Sequence, residues 1–510
     1  MLERVARMSQ AAAAEPGRTA KIALLADGLR GLGPVEAPAA VALLSGEARR
    51  MRIGVGHAAL RDLPPPARTA GLGVLETEEL LGRIAAVHGR GAQAERRRLL
   101  DGLFGRATGD EQRLLRGVLV GELRQGALDG VLAEAVAKAA GVPADAVRRA
   151  LMFRGSARAV AAAALEGGAA ALGAFGLEVG RPVRPMLAAA APGVAEALAR
   201  IAPAALEWKL DGIRIQVHRD GPEVAVFTRG LDDITARVPE IVAAARGLPV
   251  RTAVLDGEAI ALGPDGRPRP FQVTAARTAS RQDPERLRAE VPLHPYVFDL
   301  LHLDGEDLVD APGERRWGAL AGVADASLRV PRTVTADPAA AADFLADALA
   351  AGHEGVLVKD PAAPYAAGRR GAGWIKVKPH HTLDLVVLAA EWGSGRRRGF
   401  LSNLHLGARS GGEPGLPEWV MLGKTFKGLT DELLAWQTGE LLARETGRGA
   451  YEVRVRPELV VEIAFDGIQR SPRYPAGLAL RFARVVRYRP DKTAAEADTV
   501  AAVRALGRGL

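Results

Sequence analysis

The chain has 510 residues, 48% of them apolar and 25% charged, a balance typical of a folded soluble protein of about three domains. Lys and Arg total 68 against 60 for Asp and Glu, a net charge of +8 that fits a nucleic-acid partner as well as it fits a basic proteome without one. No cysteine is present, which excludes disulfides, thiolate nucleophiles and cysteine-based zinc sites.

Two segments were compared with a secretory signal and with a membrane span. Residues 1–17 carry Glu3 and Arg7 where a secretory signal needs an apolar core. The most apolar long stretch, 159–177, is mostly Ala and Gly and contains Glu166, so it does not fit a membrane span. We therefore expect a soluble cytoplasmic protein without membrane contact, associated with the nucleoid if the source is a bacterium.

Residues 1–178 are predicted to be helical, because Ala, Leu, Arg and Glu dominate and apolar positions recur at steps of three and four, as in 21–32. The tetrapeptides at 46–49 and 121–124 are similar and lie 75 residues apart, which indicates either chance or two similar helical lobes. The arginines near them would then offer guanidinium groups to phosphates, or else form ordinary solvated helix surface. These arginines are Arg49, Arg50, Arg52 and Arg124.

Two prolines in 181–188 break the helical pattern and predict a linker. Short β-rich runs then alternate with turns and with two helical segments, which predicts an α+β domain over 179–380. The β-rich runs are 213–218, 224–228, 253–256 and 295–299, and the helical segments are 281–290 and 337–350.

Strand patterns dominate again from 384 onward. They occupy 384–390, 419–422 and 458–465, with one predicted helix near 430–445. This pattern predicts a small β-barrel over 381–510.

The segment 207–214, EWKLDGIR, carries the sharpest chemical signal. Lys209 lies between a tryptophan and a tight Asp-Gly turn, at a predicted strand end where it can point into a cleft. An attacking lysine must be neutral, and burial or neighbouring cations favour the neutral amine. A single K-x-D-G is nevertheless a weak signal, and a lone lysine in a strand is usually surface.

Five further motifs follow in order and strengthen the interpretation. Together they supply cations for phosphoryl oxygens, an aromatic ring to stack on a base, and carboxylates for a ribose or a metal. They are FTRG at 227–230, LDGE at 255–258, VFDLLHLDG at 297–305, EGVLVKD at 354–360 and WIKVKP at 374–379.

With these motifs in this order, the chain resembles the covalent nucleotidyltransferases. Within them it resembles the ATP-dependent DNA ligases of archaeal, eukaryotic-replicative and actinomycete type. The resemblance covers nearly the whole chain and implies a multidomain protein. Its parts would be an all-α DNA-binding domain at 1–178, an α+β adenylation (nucleotidyltransferase) domain at 179–380 and a β-barrel OB-fold domain at 381–510. Ala483 departs from the family's usual proline and affects only a turn.

The resemblance also implies roles for individual residues in the cleft. Lys209 is the nucleophile that becomes adenylated, Glu207 reads the adenine, and Phe298 stacks on it. Glu258 contacts the ribose or a metal, and Glu354 is a metal carboxylate. Without the neighbouring motifs, Phe298 would be interpreted as an ordinary core residue, and Glu258 and Glu354 as ordinary ion-pair partners.

The other implied site residues are mostly basic. Those of the central motifs face the ribose and phosphates, and those of the last motif lie in RYRPDK at 487–492. The former are Arg214, Arg229, Arg370, Lys376 and Lys378, and the latter are Arg489, Asp491 and Lys492. We expect Trp374 to pack beneath the two lysines, His380 and His381 to lie at the surface, and Arg396–Arg398 either to be solvated or to grip DNA.

The resemblance implies ATP and Mg²⁺ as cofactors and nicked duplex DNA as substrate, and we expect a monomer. The sequence does not indicate association with a sliding clamp, or a role in replication, repair or recombination. An NAD-dependent ligase would carry a four-cysteine zinc module, which this chain lacks. An RNA ligase or a capping guanylyltransferase shares the core, although the latter has no need of the first helical domain. A catalytically silent nick-binding protein is the remaining alternative.

Overall fold

The computed structural model describes residues 1–47, 53, 55–89, 91–121, 123, 128–280, 282–367, 370–379, 381–393, 397–425 and 429–507. Six residues named above lie outside this description. Four are the arginines predicted to contact phosphates in the helical lobes, one belongs to the histidine pair at 380–381, and one belongs to the arginine run at 396–398. They are Arg49, Arg50, Arg52, Arg124, His380 and Arg396. The chain forms two compact units, Met1–Val377 and Lys378–Leu510.

The first part of the first unit is helical, as the sequence predicts. Its buried face is built largely from Ala, Leu and Val, which form one continuous core. The helices are α1 Leu2–Ala14, α2 Arg18–Arg30, α3 Gly33–Ser45, α4 Val74–Ala85, α5 Ala92–Arg106, α6 Gly109–Val120, α7 Leu128–Ala140, α8 Ala144–Arg154 and α9 Ala157–Gly173.

The two similar tetrapeptides both begin where a helix ends. Gly46 follows α3 with φ 71° and Gly121 follows α6 with φ 75°, a left-handed conformation that glycine adopts without a steric penalty. The similarity therefore includes a helix C-terminus at each site. Whether the arginines that follow contact phosphate stays a prediction.

The rest of the first unit alternates strands and helices. The elements are β1 Leu187–Ala190, α10 Val194–Leu198, β2 Ala204–Lys209, β3 Ile213–Asp220, β4 Glu223–Thr228, α11 Pro239–Arg246, β5 Thr252–Ala261, α12 Phe271–Ala279, α13 Pro284–Glu290, β6 Leu293–Leu303, β7 Glu306–Asp307, α14 Gly313–Val323, β8 Arg332–Thr335, α15 Pro338–Ala350, β9 Gly355–Lys359 and β10 Arg370–Val377. Each predicted β-rich run lies in one of these strands. Of the predicted helical segments, the first begins three residues late, at Pro284, and the second forms α15, which Asp337 caps.

These strands form two five-stranded sheets, ordered β1-β10-β9-β2-β8 and β4-β3-β5-β6-β7. Only the β1–β10 pair of the first sheet is parallel, and the second sheet is antiparallel throughout. Strand β2 lies inside the first sheet and β3 inside the second, so the short turn at 210–212 carries the chain from one sheet to the other.

The helical part and the sheets share a hydrophobic core. Met152 and Phe153 of α8 belong to the same buried cluster as Met186, Phe298 and Trp374. The predicted linker, which follows α9, therefore contributes Met186 to a core shared with α8.

In its described residues, the second unit contains a seven-stranded sheet, a separate two-stranded sheet and two α-helices. Its elements are β11 His381–Trp392, β12 Leu401–Arg409, β13 Trp419–Lys424, α16 Asp431–Ala443, β14 Glu445–Arg448, β15 Glu452–Val455, β16 Val460–Phe465, β17 Gly467–Arg470, β18 Leu478–Arg481, β19 Arg484–Tyr488 and α17 Val500–Leu506. The long strand β11 pairs with β12 along one edge and with β16 and then β15 along the other. A strand that changes partners in this way closes a small OB-like half-barrel, which confirms the predicted barrel.

None of the helices in the described ranges combines the length and apolarity needed to cross a lipid bilayer.

Candidate active site

A cleft of about 900 Å³ lies in the first unit. Its walls come from both sheets, with β1, β2, β9 and β10 on one side and β3, β4, β5 and β6 on the other. The structure brings together six of the predicted site residues here. They are Lys209, Arg214, Arg229, Glu258, Phe298 and Lys376.

Lys209 is the last residue of β2, as the sequence predicts, and its side chain is 23% exposed. Its amine forms an ion pair with Glu354, whose backbone N–H donates to the carbonyl of Lys209 at 2.9 Å. The predicted nucleophile and one predicted metal carboxylate are thus in direct contact.

Gly212, two residues before Arg214, lets the turn after Lys209 lie against β5. A Cβ at Gly212 would lie 2.4 Å from the carbonyl oxygen of Ala259 and 2.8 Å from Ile260. The glycine of the K-x-D-G motif is therefore required by close backbone approach.

Glu258 lies on β5, part-buried in the cleft wall. Burial raises the pKa of Glu258 to about 7, and the positive charges of Arg214 and Lys209 oppose that rise. The carboxyl can therefore take up or release a proton near neutral pH.

Arg214 is held by a carboxylate rather than standing free. Its Nε and Nη2 atoms lie 3.0 and 2.5 Å from the two oxygens of Asp256, and Nη1 donates to the carbonyl of Met186 at 2.6 Å. Tyr365 completes the arrangement, since its hydroxyl lies 3.2 Å from Nη2. The guanidinium is thereby fixed at the cleft wall with 15% of the side chain exposed.

Phe298 and Trp374 form an aromatic pair in the cleft. Their ring centroids are 5.9 Å apart at an interplanar angle of 81°. The guanidinium carbon of Arg214 lies 5.4 and 5.5 Å from the two centroids, and Nζ of Lys359 lies 4.5 and 4.1 Å from them. Trp374, expected only to pack beneath the lysines, also lines the cleft.

Glu207 does not reach the cleft. Its side chain is buried and forms ion pairs with Arg332 and with the fully buried Lys359. Burial lowers the pKa of Lys359, and the negative charge of Glu207 opposes that change. The geometry makes Glu207 a buried support beneath the aromatic pair, and its predicted contact with adenine finds no counterpart in the cleft lining.

The two predicted phosphate-binding lysines of WIKVKP belong to different units. Lys376 lines the cleft, while Lys378 begins the second unit, where its Nζ lies 2.7 Å from the carboxylate of Asp466. Arg370 opens β10, but its side chain lies outside the description.

Arg489, Asp491 and Lys492 cluster in the second unit. Arg489 pairs with Asp491 at 2.7 Å, and this contact with Arg489 lowers the pKa of Asp491 to about 2. Arg489 and Lys492 both contact Asp384 of β11, at 2.9 and 2.6 Å. The residues of RYRPDK thus form one charged group on the barrel.

Sequence reasoning missed three residues around the cleft. Arg237 lines it, Tyr365 bonds to Arg214, and Lys359 lies behind the aromatic pair. Tyr365 and Lys359 left no clear signal, because a tyrosine after a proline and a lysine ending a strand are common. Arg237 could have been considered, since it follows FTRG by seven residues.

In the described ranges, no three His, Asp or Glu side chains come together as a metal cluster. Glu354 pairs with Lys209, and the charge of Lys209 also acts on Glu258. Two carboxylates suit Mg²⁺, which keeps several waters and binds substrate phosphates, better than an ion that needs a cage of protein ligands.

Comparison with known proteins agrees with this geometry. Residues 185–378 match the family model of the ATP dependent DNA ligase domain, and 397–492 match that of the ATP dependent DNA ligase C terminal region. A probable DNA ligase of Nocardioides sp. is 59% identical over 98% of this chain and 97% of its own length. A probable DNA ligase of Anaeromyxobacter dehalogenans is 58% identical over the full length of both chains.

A solved structure named Pmar-Lig_PreS3 has the same fold. It superposes with a TM-score of 0.61 over 95% of this chain and 99% of that chain, at 17% identity. These findings confirm the three-part fold predicted from the sequence, with a helical region, an α+β adenylation domain and an OB-like half-barrel. They also confirm the enzyme class predicted from the six motifs, and the chain belongs to the ATP-dependent DNA ligase family.

Proposed function

We propose that this chain seals nicks in duplex DNA through a covalent AMP adduct on Lys209. The observation that carries the proposal is the position of this amine, which ends β2 inside a cleft lined by Arg214, Arg229, Lys376 and an aromatic pair. A nucleophile, cations for phosphoryl oxygens and a surface for a base are the parts that nucleotidyl transfer needs.

The reaction has three displacements at phosphorus. The amine of Lys209 loses a proton and bonds to the α-phosphorus of ATP, while the bond to pyrophosphate breaks. An oxygen of the 5′-phosphate at the nick then takes the AMP, and the amine regains a proton. Finally the 3′-hydroxyl loses its proton and bonds to that 5′-phosphorus, and AMP leaves.

The cations act on the charge that builds up on the non-bridging oxygens. Arg214, Arg229 and Lys376 lie in the cleft wall for this purpose. Arg370, Lys378 and the residues of RYRPDK are assigned to phosphates by their motifs. Phe298 and Trp374 offer the adenine a stacking surface. Glu207 is assigned to the adenine by its motif, and its carboxylate is buried against Arg332 and Lys359.

Mg²⁺ is part of the proposal, held by Glu258 and Glu354. When bound, it would neutralise charge on the phosphoryl oxygens of ATP. Glu354 also contacts the amine of Lys209 directly, which places one of the two carboxylates beside the nucleophile.

The decisive experiment is incubation of the purified chain with α-³²P-labelled ATP or GTP, followed by denaturing gels. We expect stable label from ATP on the wild type and none on Lys209→Arg, because a guanidinium stays protonated. Lys138→Arg, on the exposed side of α7, is the matched control and should label normally.

The same gels distinguish the alternatives. Label from GTP would indicate a capping enzyme, and label from neither nucleotide would indicate a binding protein. Label retained by Lys209→Arg would contradict the choice of nucleophile. Sealing of a labelled nick in DNA, but not in RNA, completes the assignment.

The proposal includes a monomer acting on DNA at the nucleoid. The net charge of +8 supports attraction to the phosphate backbone. Light scattering should give the mass of one chain, about 53.5 kDa. Nick affinity should fall steeply with added salt, because bound cations release counterions.

A further inference from the structure

Tyr365 is a buried tyrosine that none of the six motifs contains. It lies in the turn between β9 and β10, with 2% of its surface exposed. Its backbone N–H donates to the carbonyl of Val309 at 2.9 Å, and its ring packs edge-on against Trp374 with centroids 5.8 Å apart. The ring is therefore fixed independently of its hydroxyl.

The hydroxyl has three partners. It donates to Oδ2 of Asp256 at 2.6 Å, and it accepts from the backbone N–H of Met186 at 3.0 Å and from Nη2 of Arg214 at 3.2 Å. Burial and the nearby carboxylate raise the pKa of Tyr365 well above its ordinary value, so the hydroxyl keeps its proton.

These partners lie on both sides of the cleft. Asp256 and Arg214 lie on β5 and β3 of one sheet, and Met186 immediately precedes β1 of the other, whose four residues line the cleft. Met186 also accepts from Arg214 through its carbonyl oxygen. One hydroxyl thus bridges the carboxylate of Asp256, the guanidinium of Arg214 and the start of β1.

We propose that Tyr365 is a positioning residue for the nucleotide, whose hydroxyl holds Arg214 and the start of β1 in the orientation that binds ATP. The inference rests on the proposed function only in taking ATP as the ligand of this cleft. Without the hydroxyl, Arg214 keeps Asp256 and the carbonyl of Met186 but loses its third contact, and the backbone N–H of Met186 loses this acceptor. The guanidinium and the start of β1 are then held less tightly, which weakens binding.

The test compares Tyr365→Phe with the wild type, since phenylalanine keeps the ring and removes only the hydroxyl. Affinity is measured by calorimetric titration of the full chain with α,β-methylene-ATP, which cannot release pyrophosphate. We expect the Kd to rise about tenfold, the loss of one hydrogen bond to charged partners. In self-adenylation with ATP, KM should rise by a similar factor and the saturating rate should change less than threefold.

Two controls separate positioning from simple loss of stability. Tyr451→Phe removes an exposed hydroxyl, and Val118→Ala opens a cavity in the helical core, far along the chain from the cleft residues. Val118→Ala should lower Tm and leave the Kd unchanged. A rise in Kd in proportion to the fall in Tm across all three variants would overturn the inference.

A double-mutant cycle tests whether Tyr365 acts through Arg214. In an Arg214→Ala background, Tyr365→Phe should weaken binding by less than twofold, since the group it orients is gone. An undiminished tenfold effect there, or a wild-type Kd for Tyr365→Phe alone, would overturn the inference. If the wild type forms no adduct while the tenfold difference in Kd remains, the proposed function is contradicted and the positioning role of Tyr365 is not.

Discussion

Nη1 of Arg489 lies 2.9 Å from Oδ2 of Asp384, the same oxygen that accepts a hydrogen bond from Nζ of Lys492 at 2.6 Å. Asp384 lies on β11, and its backbone N–H donates to Asp498 at 2.7 Å. Arg489 and Lys492 are thus both held by a strand of their own unit. A cation held in this way can be presented to a phosphate as a preorganised charge.

The first prediction concerns the step that uses these cations. If they serve the pyrophosphate leaving group, Arg489→Ala with Lys492→Ala should slow self-adenylation about a hundredfold, the usual cost of a lost transition-state contact. Sealing of a nick supplied with AMP already on its 5′-phosphate should stay within a few-fold of wild type, because pyrophosphate has left by then. Single-turnover assays of both steps make the comparison.

Two further variants control that measurement. Arg456→Ala removes an exposed arginine of the same unit, outside the motif and paired with Glu458, and should affect neither step. Adding Asp384→Asn to the double variant removes the carboxylate left without its cations and should not change the outcome. Equal loss of both steps would mean that the cluster serves DNA binding or folding.

The second prediction is a pH dependence from Glu258, whose pKa burial raises to about 7. Binding a metal or a ribose hydroxyl as an acceptor requires the deprotonated form. We expect kcat/KM for self-adenylation to rise about tenfold per pH unit below pH 7 and to level off above it. Glu258→Gln should be slow and lack this inflection. An unchanged inflection in the variant would assign the titration to another group.

The same raised pKa has a consequence for stability. The unfolded carboxyl titrates near its ordinary value of 4.5, so the folded protein binds the proton more tightly. The stabilisation is complete below about pH 4.5 and is lost as the pH rises through 7. The Tm of Glu258→Gln should therefore exceed that of the wild type by more at pH 8 than at pH 5.

The third prediction concerns the buried ion pair of Glu207 and Lys359. Glu207→Gln removes the carboxylate shared by Arg332 and the fully buried Lys359, which should destabilise the first unit by roughly 3–5 kcal/mol. Adding Lys359→Met removes the fully buried cation and leaves only the part-exposed Arg332, so it should recover much of that loss. Thermal unfolding of the three variants decides the point. An additive effect of the two substitutions would show that the pair does not couple.

Much of the fold follows from local pattern. The β-rich runs predict the strands that follow Lys209, and the Asp-Gly turn predicts that the lysine ends its strand, as it does. These signals lie within a few residues of each other, so they are legible without tertiary structure. The order of the six motifs then predicted the family, which the comparisons confirm.

The long-range contacts that hold the site residues in place were not predictable from local sequence pattern. Tyr365 bonds to Asp256 across 109 positions, and Arg332 bonds to Glu207 across 125. Such contacts depend on which strands become neighbours, and a tyrosine or an arginine looks ordinary until its partner is known. The shared core of α8 with Phe298 was missed for the same reason, because the prolines after α9 were taken as a simple linker.

The last prediction tests the close approach at Gly212. Alanine there would place its Cβ 2.4 Å from a backbone oxygen of β5, which no side-chain rotation can relieve. The turn must therefore move away from β5, carrying Lys209, three residues earlier, out of line with the cleft. We expect Gly212→Ala to reduce adduct formation at least a hundredfold, since a displacement of about 1 Å in a reacting group costs that much.

The matched control is Gly318→Ala on α14, where a Cβ meets no atom within 4 Å and helix propensity favours alanine by about 1 kcal/mol. Its Tm should be equal to or above that of the wild type, with normal adduct formation. Normal labelling of Gly212→Ala would mean that β5 yields to the new methyl group and that this contact does not position the nucleophile.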